Sequence, residues 1–167
     1  MIKELWYLPR PNGTKYRGSF PLHFEKRLFR TYKPRLILQP FGGKSEYGIR
    51  LDINPEIKPD IVGDAHFLPF ADNSFDFVLC DPPYSNDLSG KLYKTGPVKD
   101  GLYIKEAVRV CKLGGFLALY HWVMQPRPKG TRYDRIIVII TRIRHHARFC
   151  CVFQKVTTLF EKDFGLT

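Results

Sequence analysis

Short apolar runs, separated by polar segments and by segments containing Gly or Pro, recur along the chain from residue 35 onward. They occupy residues 35–40, 48–53, 75–80, 116–121, 135–141 and 149–156. Several of them are continuously apolar, which is typical of strands in a sheet covered on both faces. The pattern therefore predicts an α/β fold built on such a sheet.

Two segments have helical spacing. Residues 21–32 mix apolar and charged side chains as a short amphipathic helix does, with Ser19 as a nearby cap. Residues 98–113 predict a second helix, which Gly114-Gly115 ends. The last two apolar runs lie so close in sequence that we expect a hairpin or a bent pair at the sheet edge. Residues 1–18 have a loop-like composition, which indicates an arm or an edge segment.

Length and composition predict one cytoplasmic domain. A chain of 167 residues that is 44% hydrophobic can bury one core. No apolar run approaches the ~18 residues of a membrane span, and the N-terminus lacks a signal-peptide pattern. The four cysteines show no CxxC spacing, so we expect reduced core positions.

Charge favours a polyanionic partner. The chain has 27 Lys and Arg against 16 Asp and Glu, a formal charge of +11. Contacts between cations and phosphates release condensed counterions, so nucleic acid is the partner that this excess fits best. A merely solvated basic surface is the alternative.

The most informative segment is the run 75–80, which ends in Asp81-Pro82-Pro83-Tyr84. Ligands of open α/β sheets bind beyond the carboxyl ends of strands, so a site is expected there. An exocyclic base amine is a poor nucleophile, and its methylation needs hydrogen-bond acceptors and tight positioning. Asp81 and the Pro82 carbonyl can accept its N–H groups, Pro83 stiffens the backbone, and Tyr84 can stack on an extruded base. The alternative is a stiff turn after a strand.

Other strand ends carry groups that suit a nucleoside. Gly42-Gly43 follow the first run, as needed where a ligand approaches the backbone closely. Asp52 lies at the end of the second run and can hold a ribose diol, with Ile53 on an adenine face. Asp64 can accept a hydrogen bond from an adenine amino group. Each acid alone is more often a solvated strand end, but together they point to one site.

Residues 36–84 resemble class I S-adenosylmethionine-dependent methyltransferases, and residues 81–84 resemble the Asp-Pro-Pro-Tyr signature of enzymes that methylate amino groups of nucleic-acid bases. Residues 64–76 and 106–115 resemble further segments of the class. The resemblance implies a Rossmann-like, doubly wound sheet, mostly parallel with an antiparallel last strand. It implies S-adenosylmethionine as cofactor, S-adenosylhomocysteine as product, and catalysis by residues 81–84. The implied cofactor contacts are Phe20, Pro40, Phe41, Gly42, Gly43, Asp52, Ile53, Asp64, Ala65 and Asp81.

The sequence departs from this family at two points. Gln39 holds a position that is usually acidic, and only residues 44–47 separate Gly43 from Gly48, so we expect the first helix to be shortened or missing. The chain also has no room for a separate target-recognition domain. We expect residues 1–34 to form an arm and a helix and residues 35–167 the catalytic core, with recognition supplied by loops, a partner subunit or a homodimer.

Two loops mix basic and aromatic residues in the way that nucleic-acid surfaces do. The candidate contacts are Lys91, Lys94, Trp122, Arg127, Lys129 and Arg132. His145-His146 and Cys150-Cys151 predict no metal site, because adjacent strand residues point to opposite faces.

The functional hypothesis is methyl transfer to an exocyclic amine of a nucleic-acid base, adenine N6 before cytosine N4 and DNA before RNA. One alternative keeps the cofactor and methylates a protein glutamine amide, although Asn is usual there in place of Asp81. Another is a catalytically idle nucleic-acid-binding partner subunit, which the short Gly loop would suit.

Overall fold

The computed structural model describes residues 1–10, 19–83, 98–142 and 146–157. Strands in these ranges form a single sheet: β1 (Ile2–Tyr7), β2 (Ile37–Gln39), β3 (Ile49–Asp52), β4 (Ile61–Val62), β5 (Phe75–Cys80), β6 (Cys111–His121), β7 (Thr131–Ile140) and β8 (Arg148–Lys155). The helices are α1 (Phe24–Tyr32) and α2 (Asp100–Val110), with a 3-10 turn at Pro55–Ile57. None of the helices in the described ranges is both long and apolar enough to cross a membrane.

The strand order is β1-β7-β8-β6-β5-β2-β3-β4. β8 runs antiparallel to β6 and β7, and the other neighbours are parallel. The predicted mostly parallel α/β sheet with an antiparallel last strand is therefore confirmed. The predicted edge position of the last two strands is wrong, because β1 pairs with β7 on its outer side.

The two helices lie on opposite faces of the sheet. Along β5, Phe77 and Leu79 pack on the α1 side, while Val78 and Cys80 pack on the α2 side. All four are buried, which explains why this run is apolar without alternation. Both faces of the central strands are thus covered. We therefore expect a ligand to bind at the ends of these strands.

Two predicted helix boundaries need correction. The N-cap of α1 is His23, which makes no side-chain cap hydrogen bond, so Ser19 is not the cap. α2 ends at Val110, and Gly114-Gly115 lie inside β6, where its register with β5 shifts. A Cβ on Gly115 would lie 2.9 Å from the Asp76 carbonyl oxygen. Glycine at this position therefore permits close strand approach, and it does not end a helix.

The connection from β2 to β3 contains turns and bends at residues 40–48 and no helix. This confirms the expected loss of the first helix. The short β4, and β1 within the supposedly loop-like N-terminal segment, were not predicted as strands.

Candidate active site

The centre of the sheet contains a switch point at its carboxyl edge. β2 is followed by β3 and β4 on one side, whereas β5 is followed by β6 on the other, and β2 pairs directly with β5. Crossovers that leave in opposite directions open a crevice between two such strands, where doubly wound sheets bind ligands. Because β2, β3 and β5 are parallel, the predicted residues at their carboxyl ends lie at the same edge of the sheet as this crevice.

The Gly42-Gly43 loop packs against β3. A Cβ on Gly42 would lie 2.5 Å from the Arg50 Cβ, and the Gly42 N–H donates to the Leu51 carbonyl at 3.0 Å. Gly43 has a φ of 49°, in the left-handed region that favours glycine. Gly42 is thus required by the close approach of the loop to β3, and Gly43 is favoured by its backbone conformation. Both reasons hold whether or not a ligand binds beside the loop.

Asp52 joins this loop to the end of β3. Its Oδ2 accepts the Gly43 N–H at 3.3 Å, and its Oδ1 accepts the Asn54 N–H at 3.0 Å. The side chain is half-buried. A carboxylate has about four lone-pair sites, so two neutral N–H donors leave capacity for a diol. Ile53, next in sequence, is 46% exposed, which suits an apolar contact with a ligand ring.

Asp64 belongs to a hydrogen-bonded chain that sequence reasoning missed. Its Oδ1 accepts the His66 backbone N–H at 2.9 Å and lies 2.6 Å from His66 Nδ1. His66 Nε2 accepts the Lys99 N–H at 2.9 Å, so the proton of the neutral ring is on Nδ1. The Asp64 side chain is 41% exposed, and the neighbouring Ala65 is buried. Asp64 therefore both organises its turn and faces solvent at the strand end.

A cluster around Arg109 fixes the segment between β4 and β5. Its guanidinium donates to the Leu68 and Phe70 carbonyls and pairs with Glu106 and Asp72. The hydrogen bond from Arg109 is the main cause that lowers the pKa of Glu106. Segments 64–76 and 106–115, singled out separately in the sequence, are thus bound to each other.

Asp81-Pro82-Pro83 follow β5 directly, with Pro82 buried and Asp81 and Pro83 half-buried. Two tyrosines lie within the electrostatic influence of Asp81. Burial raises the pKa of both the Tyr103 and Tyr120 phenols above their usual range, and the charge of Asp81 adds to both shifts. Both phenols therefore stay protonated at neutral pH. Tyr84 lies outside the described residues.

Aromatic contacts bring two further predicted residues to this edge. The Phe20 ring lies 5.1 Å from Tyr120, edge to face, and Phe41 lies 5.2 Å from Tyr103 in the same geometry. Pro40, at the end of β2, is buried. The two tyrosines were missed because nothing in their local pattern separates them from core aromatics.

The fold of this chain is similar to the solved structures of several methyltransferases. A 1,6-didemethyltoxoflavin-N1-methyltransferase from Burkholderia thailandensis, crystallised with 1,6-didemethyltoxoflavin and S-adenosylhomocysteine, has a TM-score of 0.55 and 8% identity over 79% of this chain and 76% of that one. The N-methyltransferase NodS from Bradyrhizobium japonicum has a TM-score of 0.53 and 11% identity over 79% and 94%. A Haloferax volcanii protein assigned as a methyltransferase, in complex with the Trm112 methyltransferase activator, has a TM-score of 0.51 and 13% identity over 73% and 82%.

The fold is that of a class I S-adenosylmethionine-dependent methyltransferase. No family model matches the sequence, and the comparison with curated proteins found no match. The similarity therefore establishes the methyltransferase fold.

Gln39 occupies a position that is usually acidic in the methyltransferase fold. An acidic side chain from another element, Glu25 of α1, contacts it. Gln39 is buried, and its Nε2 lies 2.8 Å from Glu25 Oε1, 2.6 Å from Ser45 Oγ and 3.0 Å from the Tyr47 carbonyl. Ser45 Oγ also donates to Glu25 Oε1 at 2.5 Å. Burial is the main cause that raises the pKa of Glu25. An amide at position 39 thus ties the short loop to α1.

We expect Gln39→Glu to destabilise the protein by about 2–3 kcal/mol at pH 8, because it places a second carboxylate against Glu25 in a buried site. The folded-state pKa of the pair would be raised, so the loss grows above the unfolded value near 4.5 and shrinks towards pH 5 as one carboxyl keeps its proton. Urea unfolding at pH 8 and at pH 5 measures the free energy of unfolding of each variant. Gln39→Met removes the amide that stabilises the Glu25 carboxylate without adding a charge, so its loss of stability should depend less on pH than that of Gln39→Glu. An equal pH dependence for the two variants, or none for Gln39→Glu, would contradict a carboxylate pair at this site.

The predicted nucleic-acid contacts divide between the two edges of the methyltransferase sheet. Trp122 follows β6 at the carboxyl edge, is 45% exposed, and has the Arg148 guanidinium 5.3 Å from its ring centroid. Lys129 and Arg132 lie at the start of β7, which is the amino edge, since β7 runs parallel to β1 and the core strands. Arg127 donates to the Thr131 carbonyl near that edge. Lys91 and Lys94 lie outside the described residues.

Within the described ranges, no group of three or more His, Cys, Asp or Glu side chains is placed to hold a metal ion. Cys150 packs on the α1 face and Cys151 on the α2 face. All four cysteines are buried and unbridged.

Proposed function

We propose that the protein transfers the methyl group of S-adenosylmethionine to an exocyclic amino group of a nucleic-acid base, with adenine N6 in DNA as the first acceptor. The observation that carries this proposal is Asp81-Pro82-Pro83 at the carboxyl end of β5, beside the crevice between β2 and β5. A rigid acceptor pair at a ligand-binding strand end is what the amine requires.

The residues of the crevice fit a nucleoside cofactor. Asp52 is a half-buried carboxylate with acceptor capacity for the ribose hydroxyls, and Ile53 is an exposed apolar side chain next to it. Asp64 and Ala65 would border the adenine, and Gly43 and Phe20 the methionine end. When bound, the cofactor supplies an electrophilic methyl group on a sulfonium.

In the proposed mechanism, Asp81 and the Pro82 carbonyl each accept one N–H of the target amine and fix its direction. The carbon–nitrogen bond forms as the carbon–sulfur bond breaks, and the amine then loses one proton to water. Because Pro82 and Pro83 restrict the backbone, the acceptors are preorganised, and positioning supplies most of the rate. Tyr84 would stack on the extruded base.

Charge supports a nucleic-acid acceptor. The net charge of +11 and the exposed Trp122, with Arg148 beside its ring, suit a strand that passes the carboxyl edge. The strands of the described ranges all belong to one sheet, so we expect selectivity for a sequence to come from loops, a second subunit or a second copy of the chain.

The test is incubation of the purified protein with methyl-labelled S-adenosylmethionine and equal amounts of DNA, RNA and a protein extract. We expect the label in DNA. Label in protein alone would favour the glutamine-amide alternative, and label in RNA alone would move the acceptor to RNA. Nucleic-acid binding without any transfer would favour an idle partner subunit, the alternative that the missing first helix supports.

A further inference from the structure

A cavity of about 460 Å³ opens at the amino edge of the sheet, between the end of α1 and the Gly114-Gly115 segment of β6. Its polar and aromatic lining includes Lys33, Arg35, Asp76, Lys112 and Phe116. Asp76, which lines the cavity, precedes Asp81 by five residues, a rise of about 16 Å along β5. The cavity is therefore separate from the candidate active site.

The acid in this cavity is already neutralised. Asp76 accepts the Lys112 ammonium at 2.8 Å and the backbone N–H groups of Leu36 and Arg35 at 2.9 and 3.2 Å. The Lys112 hydrogen bond is the main cause that lowers the pKa of Asp76, so the pair stays ionised and nets to zero. Lys33 and Arg35 are exposed, and neither takes part in an ion pair within the described part of the chain. The cavity thus has an excess of two positive charges.

Lys33 occupies a backbone position that favours glycine. It ends α1 with a φ of 47° and a ψ of 48°, in the left-handed region. A lysine there costs on the order of 1 kcal/mol relative to glycine. A cation therefore lines the cavity at a position where the backbone conformation favours glycine.

The cationic surface continues past the cavity. Arg132 donates to Gln154 Oε1 at 2.7 Å, and Gln154 Nε2 donates to the Gly114 carbonyl at 2.9 Å. Lys112 of β6 contacts β5, whereas Gln154 of β8 links Arg132 of β7 to the other side of β6. The exposed Lys129 is three residues before Arg132 in the sequence. Four cations, Lys33, Arg35, Lys129 and Arg132, therefore share the amino edge.

We propose that this amino edge is a phosphate-binding site separate from the candidate active site, and that its occupant is the sugar-phosphate backbone of the nucleic acid. The choice of a polynucleotide over a free phosphate ester rests on the proposed function. The row of cations extends beyond one cavity, which suits a chain of phosphates better than a single phosphate. A strand held at this edge is anchored about 16 Å or more from Asp81, where it adds affinity without selecting sequence.

The test is anisotropy titration of a labelled single-stranded 30-nucleotide DNA, without cofactor, with the parent protein and with Lys33→Gly/Arg35→Ala. We expect about tenfold weaker binding at 0.1 M salt, and a salt-dependence slope smaller by about 1.4, because two phosphate contacts are lost. Lys26→Ala/Lys105→Ala removes the same charge from exposed helix positions and should bind nearly as the parent does. The Lys33→Gly protein should melt at the same temperature as the parent or at a higher one, because glycine favours this backbone conformation. Weaker DNA binding could then not be attributed to misfolding at this position.

Equal affinity of the two double variants for the 30-mer would overturn the proposal. Inorganic phosphate and a mononucleotide are the other probes. If the parent bound the mononucleotide through Lys33 and Arg35 but not the 30-mer, the polynucleotide assignment would be overturned in favour of a free phosphate ester. Because no methyl transfer is measured, a catalytically inactive protein that still bound DNA through this edge would refute the proposed reaction and leave this site standing.

Discussion

Asp81→Ala is expected to lower kcat for DNA methylation by at least 100-fold at saturating S-adenosylmethionine. In the proposed mechanism the alanine removes the carboxylate that accepts one N–H of the target amine, and one preorganised hydrogen-bonding group of this kind contributes about 10²–10³-fold. The loss should appear in kcat as well as in kcat/KM, because the interaction matters most as the carbon–nitrogen bond forms. Steady-state kinetics with one DNA substrate measure both quantities.

The matched control is Asp100→Ala, which removes an exposed acid at the start of α2 whose field also reaches Tyr103 and His121. It changes the charge of the same region without removing the amine acceptor, and should keep kcat within about twofold. If the Asp81→Ala protein were as fast as the parent, the role of the Asp-Pro-Pro segment would be wrong.

Asp52→Ala is expected to weaken S-adenosylmethionine binding by about 100-fold or more. Two hydrogen bonds to a charged acceptor contribute about 1.5–3 kcal/mol each, and 1.4 kcal/mol is a factor of ten in affinity. The alanine also releases the Gly43 N–H, so the loop that borders the crevice loses an anchor. Calorimetric titration of the cofactor and of S-adenosylhomocysteine measures the change.

Glu56→Ala provides the control, since this exposed acid lies in the 3-10 turn just after Asp52 and removes the same charge. Its affinity for the cofactor should match that of the parent. Equal affinities of the Asp52→Ala and Glu56→Ala proteins would show that the ribose is held elsewhere.

The strands with the strongest local signal were predicted from the sequence. β5 was predicted with its observed bounds because Phe75 to Cys80 is apolar on both faces and Asp81-Pro82 ends it. β1 was not predicted, because only Trp6 in it is fully buried and the strand exists through pairing with β7, more than 120 residues later in the chain. Pairing at such separation leaves little local trace.

The glycine pair in β6 shows a second reason why a sequence pattern can predict the wrong element. Gly114-Gly115 resemble a helix end, but Gly115 is required because the Asp76 carbonyl leaves no room for a Cβ. The same residue type serves a helix terminus and a close strand approach, and only the neighbouring strand distinguishes them.

The candidate residues at strand ends were identified from the sequence, whereas the tertiary contacts around them were not. Asp52 is the last residue of β3 and Asp81 directly follows β5, so the parallel strands place both at the carboxyl edge of the sheet. The Glu25–Gln39 contact and the His66–Lys99 contact join residues 14 and 33 positions apart, and no local pattern marks them. Tyr84, Lys91 and Lys94 remain predictions from the sequence.

The most direct test of the proposed function is mass spectrometry of nucleosides released from DNA after reaction with S-adenosylmethionine. The position of the methyl group on the base distinguishes an exocyclic amine from any other acceptor atom. We predict N6-methyladenine, formed by the parent protein and absent with Asp81→Ala. A methyl group on a ring nitrogen or ring carbon, or no methylated nucleoside from either DNA or RNA, would contradict the proposed function.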